Sequence, residues 1–437
     1  MNPTSGDNSL NRRQALRLLG VAGAGALAAA CAGPGSGSGS GQSTTAAAST
    51  TGSVGGKISF AHWRGEDREV FDKIIKDFTA KHAGTSVRQD ISPSQDYQRM
   101  ALQQIKGGSS GDVFTAFRGA QFTDMSKAGI FVPFDGKPVV KNYKADFIEP
   151  GQSDGKQLGF PYQLVFNMPL CNADLLEKAG NDGSPPKDWD SYLGLLDKLK
   201  GLGVVALLFP GGSPADYNQL MHSMVMNNAP SDDMFTKIES GEYKCTDDWF
   251  ITTLKQYQQL SAYFQPNATG TSAEAGQQML ATGKAAMMVT GSYYVTVVRK
   301  LGAKFPLNVL APITVSADKV KYVGIHNTTF ILGVNSAGKN QATAAAFVDY
   351  LSDPTVAGVY ANGTAQHVTV ENVDYTDPDL NALSPWLKRK TLLAPLFQFQ
   401  NLDIRGAVQN AALEVVSGKS PEQAAEEAQR VVDQKRA

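Results

Sequence analysis

The chain has 437 residues, of which 42% are hydrophobic, 19% charged and 9% aromatic, and its 40 Lys and Arg residues nearly balance its 41 Asp and Glu residues. A formal net charge of -1 provides no overall field for nucleic acid or for an anionic membrane surface. The roughly 380 residues that follow residue 56 are more than one hydrophobic core usually supports, which predicts two lobes.

The N-terminal segment has the parts of an export signal. Arg12 and Arg13 precede an apolar run at residues 18–30 that is rich in Gly and Ala. This run is too short to cross a bilayer as a helix, which takes about 20 residues. A positive start, an apolar middle and small residues at the end are typical of a cleaved signal peptide, and the adjacent arginines resemble a twin-arginine signal.

The signal ends at a cysteine. Residues 27–31 (LAAAC) resemble a bacterial lipobox, although Ala28 stands where the motif usually has Leu. We therefore expect residues 1–31 to be a signal peptide and Cys31 to carry a lipid that anchors the mature chain to the membrane. The alternative is an ordinary signal peptide with a chance cysteine.

A tether is predicted next. Residues 32–56 consist largely of Gly, Ser, Thr and Ala, with no bulky apolar residue before Val54. Such a segment cannot bury enough apolar surface to offset its ordering entropy, so we expect it to be flexible. A flexible tether would keep the following domain close to a partner in the membrane.

The body of the chain alternates strand-like and helix-like segments. Phe71, Ile74, Ile75 and Phe78 recur at helical spacing after a β-prone segment at residues 57–62. The further predicted elements are a strand at 87–91, a helix at about 96–105, a strand at 112–116, a helix at 189–199 and a strand at 204–209. This alternation predicts an α/β protein with mostly parallel sheets, in which ligands bind beyond the carboxyl ends of the strands.

Signatures of catalysis and of metal binding are weak. Residues 107–111 (GGSSG) have the spacing of a nucleophile elbow, but a helix is predicted before them and a strand after them, the reverse of what that motif needs. The five histidines are scattered without metal-ligand spacing. A pair of glycosidase carboxylates could be present, because a sequence does not show which carboxylates converge. These patterns favour a protein without enzymatic activity, cofactor or metal ion.

Two cysteines remain once Cys31 is assigned to the lipid. Cys171 and Cys245 could pair outside the cell. Both lie in apolar surroundings in the sequence, and we expect two free, buried thiols.

Several short segments, in a fixed order, carry a family resemblance. They are residues 111–114 (GDVF) with 128–133 (AGIFVP), 155–162 (GKQLGFPY) with 172–180 (NADLLEKAG), 185–189 (PPKDW), 283–288 (GKAAMM) with 291–293 (GSY), and 417–419 (SGK) with 428–429 (AQ). Each segment alone is weak, but their order and spacing hold over most of the body. Together they resemble the extracellular solute-binding proteins of the carbohydrate type, the family that includes maltose-binding protein.

The resemblance implies a periplasmic-binding-protein-like α/β fold, with two lobes joined by hinge strands and a ligand cleft between the lobes that closes on binding. We expect the N-terminal lobe to comprise residues 57–164 and about 290–335. The C-terminal lobe would comprise residues 165–289 and about 336–437.

The resemblance also implies a role and a location. The chain would be the substrate-binding component of an ABC transporter, capturing a mono- or oligosaccharide and delivering it to the permease subunits. It would act as a monomer, anchored by its lipid at the extracytoplasmic face of the bacterial cell membrane.

Candidate ligand-binding residues follow from the positions that match the family. Trp63, Arg64, Glu66 and Asp67 follow the first strand, where the family places charged groups that bind sugar hydroxyls. A hydroxyl both donates and accepts, and charged partners make the stronger hydrogen bonds. Asp67 could instead cap the next helix, and Trp63 could belong to the core.

Aromatic candidates lie at three further positions. Phe117 and Arg118 follow the third predicted strand, at the family's aromatic position. Tyr162 and Gln163 lie where the chain is expected to cross to the second lobe. Tyr293 stands where the family commonly has Trp, and an aromatic ring there can cover the apolar face of a pyranose.

A last group lies in segments that the family brings to the cleft. Its members are Asp216, Tyr217, His326, Asn327 and Arg405. Each of them could instead be an ordinary surface residue.

The residue types at these positions leave the ligand class open. Arg64, Arg118 and Arg405 are more cations than a neutral sugar needs, and guanidinium pairs bidentately with carboxylate or phosphate. The alternative ligand is therefore anionic, such as a uronic-acid sugar or a glycerophosphodiester. Alternatives from other classes are a secreted glycoside hydrolase and a structural surface adhesin.

Overall fold

The structure, a computed structural model, describes residues 52–108 and 110–436. The predicted signal peptide, Cys31 and the tether up to residue 51 lie outside the described residues. Within the described ranges, no helix has the length and apolar character needed to cross a membrane.

Thirteen strands form the sheets of the described residues. They are β1 Gly56–His62, β2 Thr85–Ile91, β3 Val113–Ala116, β4 Gln152–Ser153, β5 Lys156–Gln157, β6 Phe160–Val165, β7 Leu170–Asn172, β8 Val205–Leu208, β9 Ala285–Met288, β10 Leu307–Val309, β11 Gly324–Val334, β12 His367–Val368 and β13 Thr391–Leu393.

Seventeen α-helices occur in the same part of the chain. They are α1 Arg68–Lys81, α2 Ser94–Lys106, α3 Ala120–Lys127, α4 Ala145–Ile148, α5 Ala173–Lys178, α6 Trp189–Gly201, α7 Pro214–Tyr217, α8 Gln219–Val225, α9 Met234–Ser240, α10 Asp248–Leu260, α11 Ala273–Ala281, α12 Val295–Lys300, α13 Gln341–Leu351, α14 Pro354–Thr364, α15 Pro378–Leu383, α16 Leu402–Val416 and α17 Pro421–Arg436.

The predicted local elements are present with small changes at their ends. The apolar stripe of α1, formed by Phe71, Ile74, Ile75 and Phe78, is buried as its helical spacing predicted. Helix α6 begins after Asp188, whose carboxylate accepts a hydrogen bond from the Ser191 N–H at 2.8 Å. This cap satisfies one of the free N–H groups at the helix start.

Two main sheets organise the fold. The first has the strand order β12-β6-β11-β3-β1-β2, with β13 paired to β11, and the second has the order β10-β7-β9-β8. Strand β1 is parallel to β2 and β3, and β8 is parallel to β9, but β11 is antiparallel to β3 and β6, and β7 is antiparallel to β9 and β10.

The prediction of mostly parallel sheets is therefore wrong, because both sheets are mixed. Strand β6 lies in the first sheet and β7, directly after it, in the second, and β11 returns the chain to the first sheet. Of these crossing strands, β11 runs antiparallel to β3 and β7 runs antiparallel to β9, whereas β6, which is antiparallel to β11, runs in the same direction as β3.

Each sheet has its own hydrophobic core. Phe60, Phe71 and Phe347 lie in the cluster around the first sheet, and Leu208 and Leu307 lie in the cluster around the second. Helix α13 thus packs with the first sheet and β10 with the second. Each of these two segments therefore packs with the lobe opposite to the one expected from the sequence.

The two cysteines of the body are free and buried, as predicted. Burial, with the nearby charges of Asp247 and Asp433, raises the pKa of the Cys245 thiol to about 12, and burial raises the pKa of Cys171 further. Both thiols are therefore unreactive at neutral pH, because the thiolate is the nucleophile.

The parallel pairing of β1 and β3 positions the first half of the candidate site. Phe60 and Ala61 lie opposite Val113 and Phe114, so the carboxyl ends of the two strands meet at the same edge of the sheet. The loops that follow these strands, residues 63–67 and residues 117–119, therefore lie side by side.

Candidate functional site

A cleft of about 780 Å³ is lined by loops from both sheets. Eight of the sequence-predicted residues line it: Trp63, Arg64, Glu66, Phe117, Gln163, Tyr293, Asn327 and Arg405. The other six lie behind the surface of the cleft or in a core.

An aromatic pair forms one wall. The Trp63 and Phe117 rings are stacked, with centroids 3.7 Å apart and an interplanar angle of 18°. Trp63 also contacts the buried ring of Phe330 edge-on, with the centroids 5.0 Å apart. The rings are therefore held by packing and present a rigid apolar surface at the cleft.

A buried ion-pair cluster lies beside this wall. The Arg64 guanidinium donates to both carboxylate oxygens of Asp67, at 2.8 and 3.0 Å, and lies 2.9 Å from Glu66 Oε1. Burial disfavours the charged guanidinium, but Asp67 and Glu66 outweigh this effect and hold the pKa of Arg64 well above its usual value. The charge of Arg64 is therefore fully compensated within the protein.

Asp67 supports Arg64 rather than capping helix α1. Asp67 occupies the N-cap position, but its side chain makes no capping hydrogen bond. Its Oδ2 atom instead accepts a hydrogen bond from the Tyr360 hydroxyl at 2.6 Å, and Tyr360 in turn accepts one from the side-chain amide of Gln163. This chain of contacts joins the cleft residues Arg64 and Gln163 through buried partners.

His62 fixes the backbone of the same loop. Its Nδ1 atom accepts a hydrogen bond from the Arg64 N–H at 3.1 Å, and its Nε2 atom lies 2.9 Å from Gln89 Oε1. The ring is therefore neutral, with its proton on Nε2. Burial lowers the pKa of His62 to about 4, in agreement with this assignment.

Tyr293 is held on the opposite wall by a buried carboxylate. Asp216 accepts hydrogen bonds from Ser213 at 2.7 Å, from Thr290 at 2.8 Å and from the Tyr293 hydroxyl at 3.4 Å. Burial raises the pKa of Asp216. A Cβ atom at Gly291 would lie 2.4 Å from the Tyr293 ring, so only glycine allows this close approach.

Two arginines lie around a third aromatic residue. The guanidinium carbons of Arg118 and Arg405 lie 5.2 and 5.3 Å from the centroid of the Phe397 ring. Arg118 donates to Asn327 Oδ1 at 3.1 Å and to the Ala394 carbonyl. Gly119, at φ +86°, brings this loop against the Phe397 carbonyl, where a Cβ atom would lie at 2.3 Å.

The charges of these arginines are not compensated. Burial and the charge of Arg405 lower the pKa of Arg118 to about 9, and burial lowers the pKa of Arg405 to about 10. Among the described residues, no carboxylate forms an ion pair with either guanidinium. Both remain protonated at neutral pH.

Three predicted residues make only structural contacts. The Tyr162 hydroxyl donates to the Leu351 carbonyl at 3.0 Å within the core of the first sheet. The Tyr217 hydroxyl donates to Asn410 Oδ1 at 3.1 Å, and His326 Nδ1 lies 2.9 Å from Thr391 Oγ1. None of the three lines the cleft.

Several lining residues were not predicted from the sequence. They include amides and aromatic residues: Gln95, Gln98, Asn167, Asn218, Gln219, Gln277, Gln409, Tyr294 and Phe397. Tyr294 directly follows a predicted residue and could have been included on that ground. The amides have no sequence signal, because Asn and Gln are common on any surface.

Some of these polar groups are buried without a partner. Asn167 Oδ1, Asn218 Oδ1, Gln409 Nε2 and Thr329 Oγ1 make no hydrogen bond among the described residues, and all four side chains line the cleft. Buried polar atoms are normally paired, so these point to a partner that enters the cleft. In the part of the chain that the structure describes, no cluster of His, Cys, Asp and Glu has the arrangement of a metal site.

Two sheets with separate cores and a cleft between their loops define a two-lobed binding protein that takes up a small solute. Residues 64–358 match the family of bacterial extracellular solute-binding proteins, and the chain belongs to this family. The periplasmic-binding-protein-like fold class predicted from the sequence is confirmed. No curated protein sequence gives a significant match.

Solved structures of similar fold include three sugar-related proteins. A chitin oligosaccharide binding protein matches with a TM-score of 0.75 and 20% identity, over 87% of this chain and 99% of that chain. RafE in complex with raffinose matches with a TM-score of 0.74 and 16% identity, over 87% and 100%. A sugar transporter from Bacillus licheniformis in complex with stachyose matches with a TM-score of 0.70 and 14% identity, over 86% and 98%.

Proposed function

We propose that this chain captures a carbohydrate in the cleft between its two sheets and delivers it to the permease of an ABC transporter. The observation that carries the proposal is the combination of rigid aromatic rings with unpaired polar atoms on the lining of one cleft. A sugar ring has apolar faces and a rim of hydroxyls, and this lining offers partners for both.

The aromatic part includes Trp63, Phe117, Tyr293 and Tyr294. Trp63 and Phe117 come from the loops of the first sheet, whereas the two tyrosines follow β9 of the second sheet. A sugar between them would be contacted from both sides. Closure of the lobes about the crossing segments would then bury it, which is the hinge motion typical of two-lobed binding proteins.

The polar part consists of amides and of the Arg64 cluster. Asn167, Asn218 and Gln409 each carry a buried atom without a partner among the described residues. Amides both donate and accept, as hydroxyls do, so they suit a polyol ligand. Glu66 stays partly exposed beside Arg64, and its carboxylate is available to accept from a hydroxyl.

The similar solved structures support the same ligand class. They are a chitin oligosaccharide binding protein and two proteins in complex with raffinose and with stachyose. We infer by analogy that this chain takes a mono- or oligosaccharide without chemical turnover. Delivery to a permease, anchoring through Cys31 and a position at the extracytoplasmic face are parts of the same proposal.

A thermal-unfolding screen tests the ligand class. The purified chain is heated with a panel of neutral sugars and their acidic counterparts, including chitin oligosaccharides, raffinose and stachyose. A sugar that binds only the folded state stabilises it by about 2.7 kcal/mol at a hundredfold excess over Kd, which raises Tm measurably. The sugar should be recovered intact afterwards. If no member of the panel changes Tm, the proposed function is wrong.

A further inference from the structure

The arginines at the cleft differ in whether a carboxylate compensates their charge. Arg64 is bound bidentately by Asp67 and also contacts Glu66, so its charge is compensated inside the protein. Arg405 also lines the cleft, but among the described residues its guanidinium has neither a hydrogen-bond acceptor nor a carboxylate, only the Phe397 ring at 5.3 Å. Arg118, behind it, likewise has no carboxylate.

The position of Arg405 makes its positive charge unfavourable for the stability of the unliganded folded chain. Arg405 lies near the start of helix α16, Leu402–Val416, where the helix dipole is positive and disfavours a cation. The carboxylate closest to it in sequence, Asp403, is paired with Lys435 at 2.7 Å. The Phe397 ring also brings Arg405 next to a second cation, Arg118.

The other groups that face this pair add no negative charge. His222 accepts the Leu396 N–H at 3.3 Å through its Nδ1 atom and is held neutral by burial and by both arginines. His326 is likewise neutral, through burial and the charge of Arg118. Two guanidinium groups are thus held close together and partly desolvated, without an ion-pair partner among the described residues.

We propose that Arg405, supported by Arg118, binds an anionic group of the ligand, so that the captured solute is an acidic sugar or a sugar-like phosphodiester. This inference rests on the proposed function and specifies its ligand. An anion would compensate both charges when the cleft closes, whereas a neutral sugar would leave them desolvated and unpaired. Carboxylate and phosphate share this chemistry, because a guanidinium binds either of them bidentately.

Matched pairs of ligands test the proposal. Kd values are measured by calorimetry for three kinds of pair. The first are glucose with glucuronate and galactose with galacturonate, the second are the disaccharides built from each of these four sugars, and the third is glycerol with glycerophosphoglycerol. We expect one acidic member to bind at least roughly tenfold more tightly than its neutral counterpart, since hydrogen bonds to charged groups are the stronger ones. Preference for a uronate or for the phosphodiester identifies the source of the anion.

Two variants test whether the preference for an acidic ligand depends on Arg405. Arg405→Gln should weaken the acidic ligand roughly ten- to a hundredfold and remove its advantage over the neutral one. Because this change also removes the repulsion with Arg118, the unliganded Tm should not fall. Arg389→Gln is the matched control: Arg389 lies over the Trp386 ring at 4.2 Å, also without an ion pair among the described residues, but outside the cleft. It should leave every Kd unchanged.

The outcomes separate this inference from the proposed function. If neutral sugars bind as tightly as their acidic counterparts, or if Arg405→Gln retains the acid preference, the inference is wrong and the proposed function stands. If no sugar binds at all, the proposed function is wrong, and inorganic phosphate alone decides the inference. Stabilisation by phosphate that is lost in Arg405→Gln supports an anion site, and its absence from the wild-type chain overturns it.

Discussion

The Trp63 indole is stacked on the Phe117 ring, with the two centroids 3.7 Å apart and the planes inclined by 18°. The two residues are far apart in sequence and meet because β1 and β3 are parallel neighbours whose carboxyl ends share one edge of the sheet. Both rings line the cleft, and Phe330 supports Trp63 from the core. The stack is therefore a preformed apolar surface at the cleft.

Trp63→Ala should weaken sugar binding. The substitution removes a large apolar contact, and burying a side chain of that kind contributes about 1.5 to 3 kcal/mol, or roughly ten- to a hundredfold in Kd. Calorimetric titration with the sugar found in the thermal screen measures the change. Trp189→Ala is the control, because Trp189 lies on α6 outside the cleft and should leave Kd unaltered. Equal Kd values for both variants would remove Trp63 from the site.

Tyr293 should act through its ring more than through its hydroxyl. Tyr293→Ala loses the apolar contact and should weaken binding by about 1.5 to 3 kcal/mol. Tyr293→Phe keeps the ring, and Asp216 keeps its hydrogen bonds from Ser213 and Thr290, so its effect should stay below about 1.5 kcal/mol. Circular dichroism must show both variants folded. An unchanged Kd in well-folded Tyr293→Ala would contradict a binding role.

The Arg64–Asp67 pair should contribute strongly to the stability of the loop. Asp67→Ala leaves the buried Arg64 guanidinium without its bidentate partner, and removing one member of a buried pair costs about 3 to 5 kcal/mol. Urea unfolding measures the free energy of unfolding. Arg99→Ala breaks the exposed Asp96–Arg99 pair, which has the same i,i+3 spacing, and should cost less than about 1 kcal/mol. Similar losses in the two variants would show that burial of the first pair has no effect.

Buried neutral histidines should make the protein sensitive to acid. Burial lowers the pKa values of His62 and His367 to about 4, below the ordinary value of 6.5. Between these values the unfolded chain binds the protons and the folded chain does not, so stability is full above pH 6.5 and falls as the pH drops towards 4. Each histidine contributes a loss of up to about 1.4 kcal/mol per pH unit. Urea unfolding at pH 7, 6 and 5 checks this, and constant stability over that range would refute it.

Cys31→Ala should release the protein from the membrane fraction. The described residues contain no helix able to span a membrane, so on our proposal the lipid on Cys31 provides the attachment. Fractionation of cells that express the two forms of the chain measures the change. A Cys31→Ala protein that still sediments with membranes would show that the lipoprotein prediction is wrong.

Local structure and part of the site could be predicted because they depend on short-range patterns. Helix α1 follows from its 3.6-residue apolar spacing, and Trp63 and Phe117 were predicted from strand-end positions that match those of the family. The compensation of the Arg64 charge also depends on local sequence, because Glu66 and Asp67 lie within three residues of Arg64.

Strand β6 is a case in which short-range patterns do not predict which side chains face the cleft. Tyr162 and Gln163 are adjacent and were predicted together, but Tyr162 lies in the core whereas Gln163 lines the cleft. Every residue of β6 is buried, so no alternation of apolar and polar residues shows which side faces the ligand. The direction of the crossing strands could not be predicted from the sequence either, because strands with parallel and with antiparallel neighbours have the same local composition.

What the sequence by itself determined about this protein is its α/β, solute-binding character, because the order of the family-like segments, the strand-end positions and the composition are all properties of the linear chain. Only the tertiary structure decided which arginines keep an uncompensated charge. Arg118 and Arg405 are nearly 300 residues apart and meet around Phe397, while Asp403 pairs with Lys435 instead. Charge compensation depends on distances of a few ångströms, since the energy of two charges falls with their separation and with solvent screening. Those distances exist only once the chain is folded.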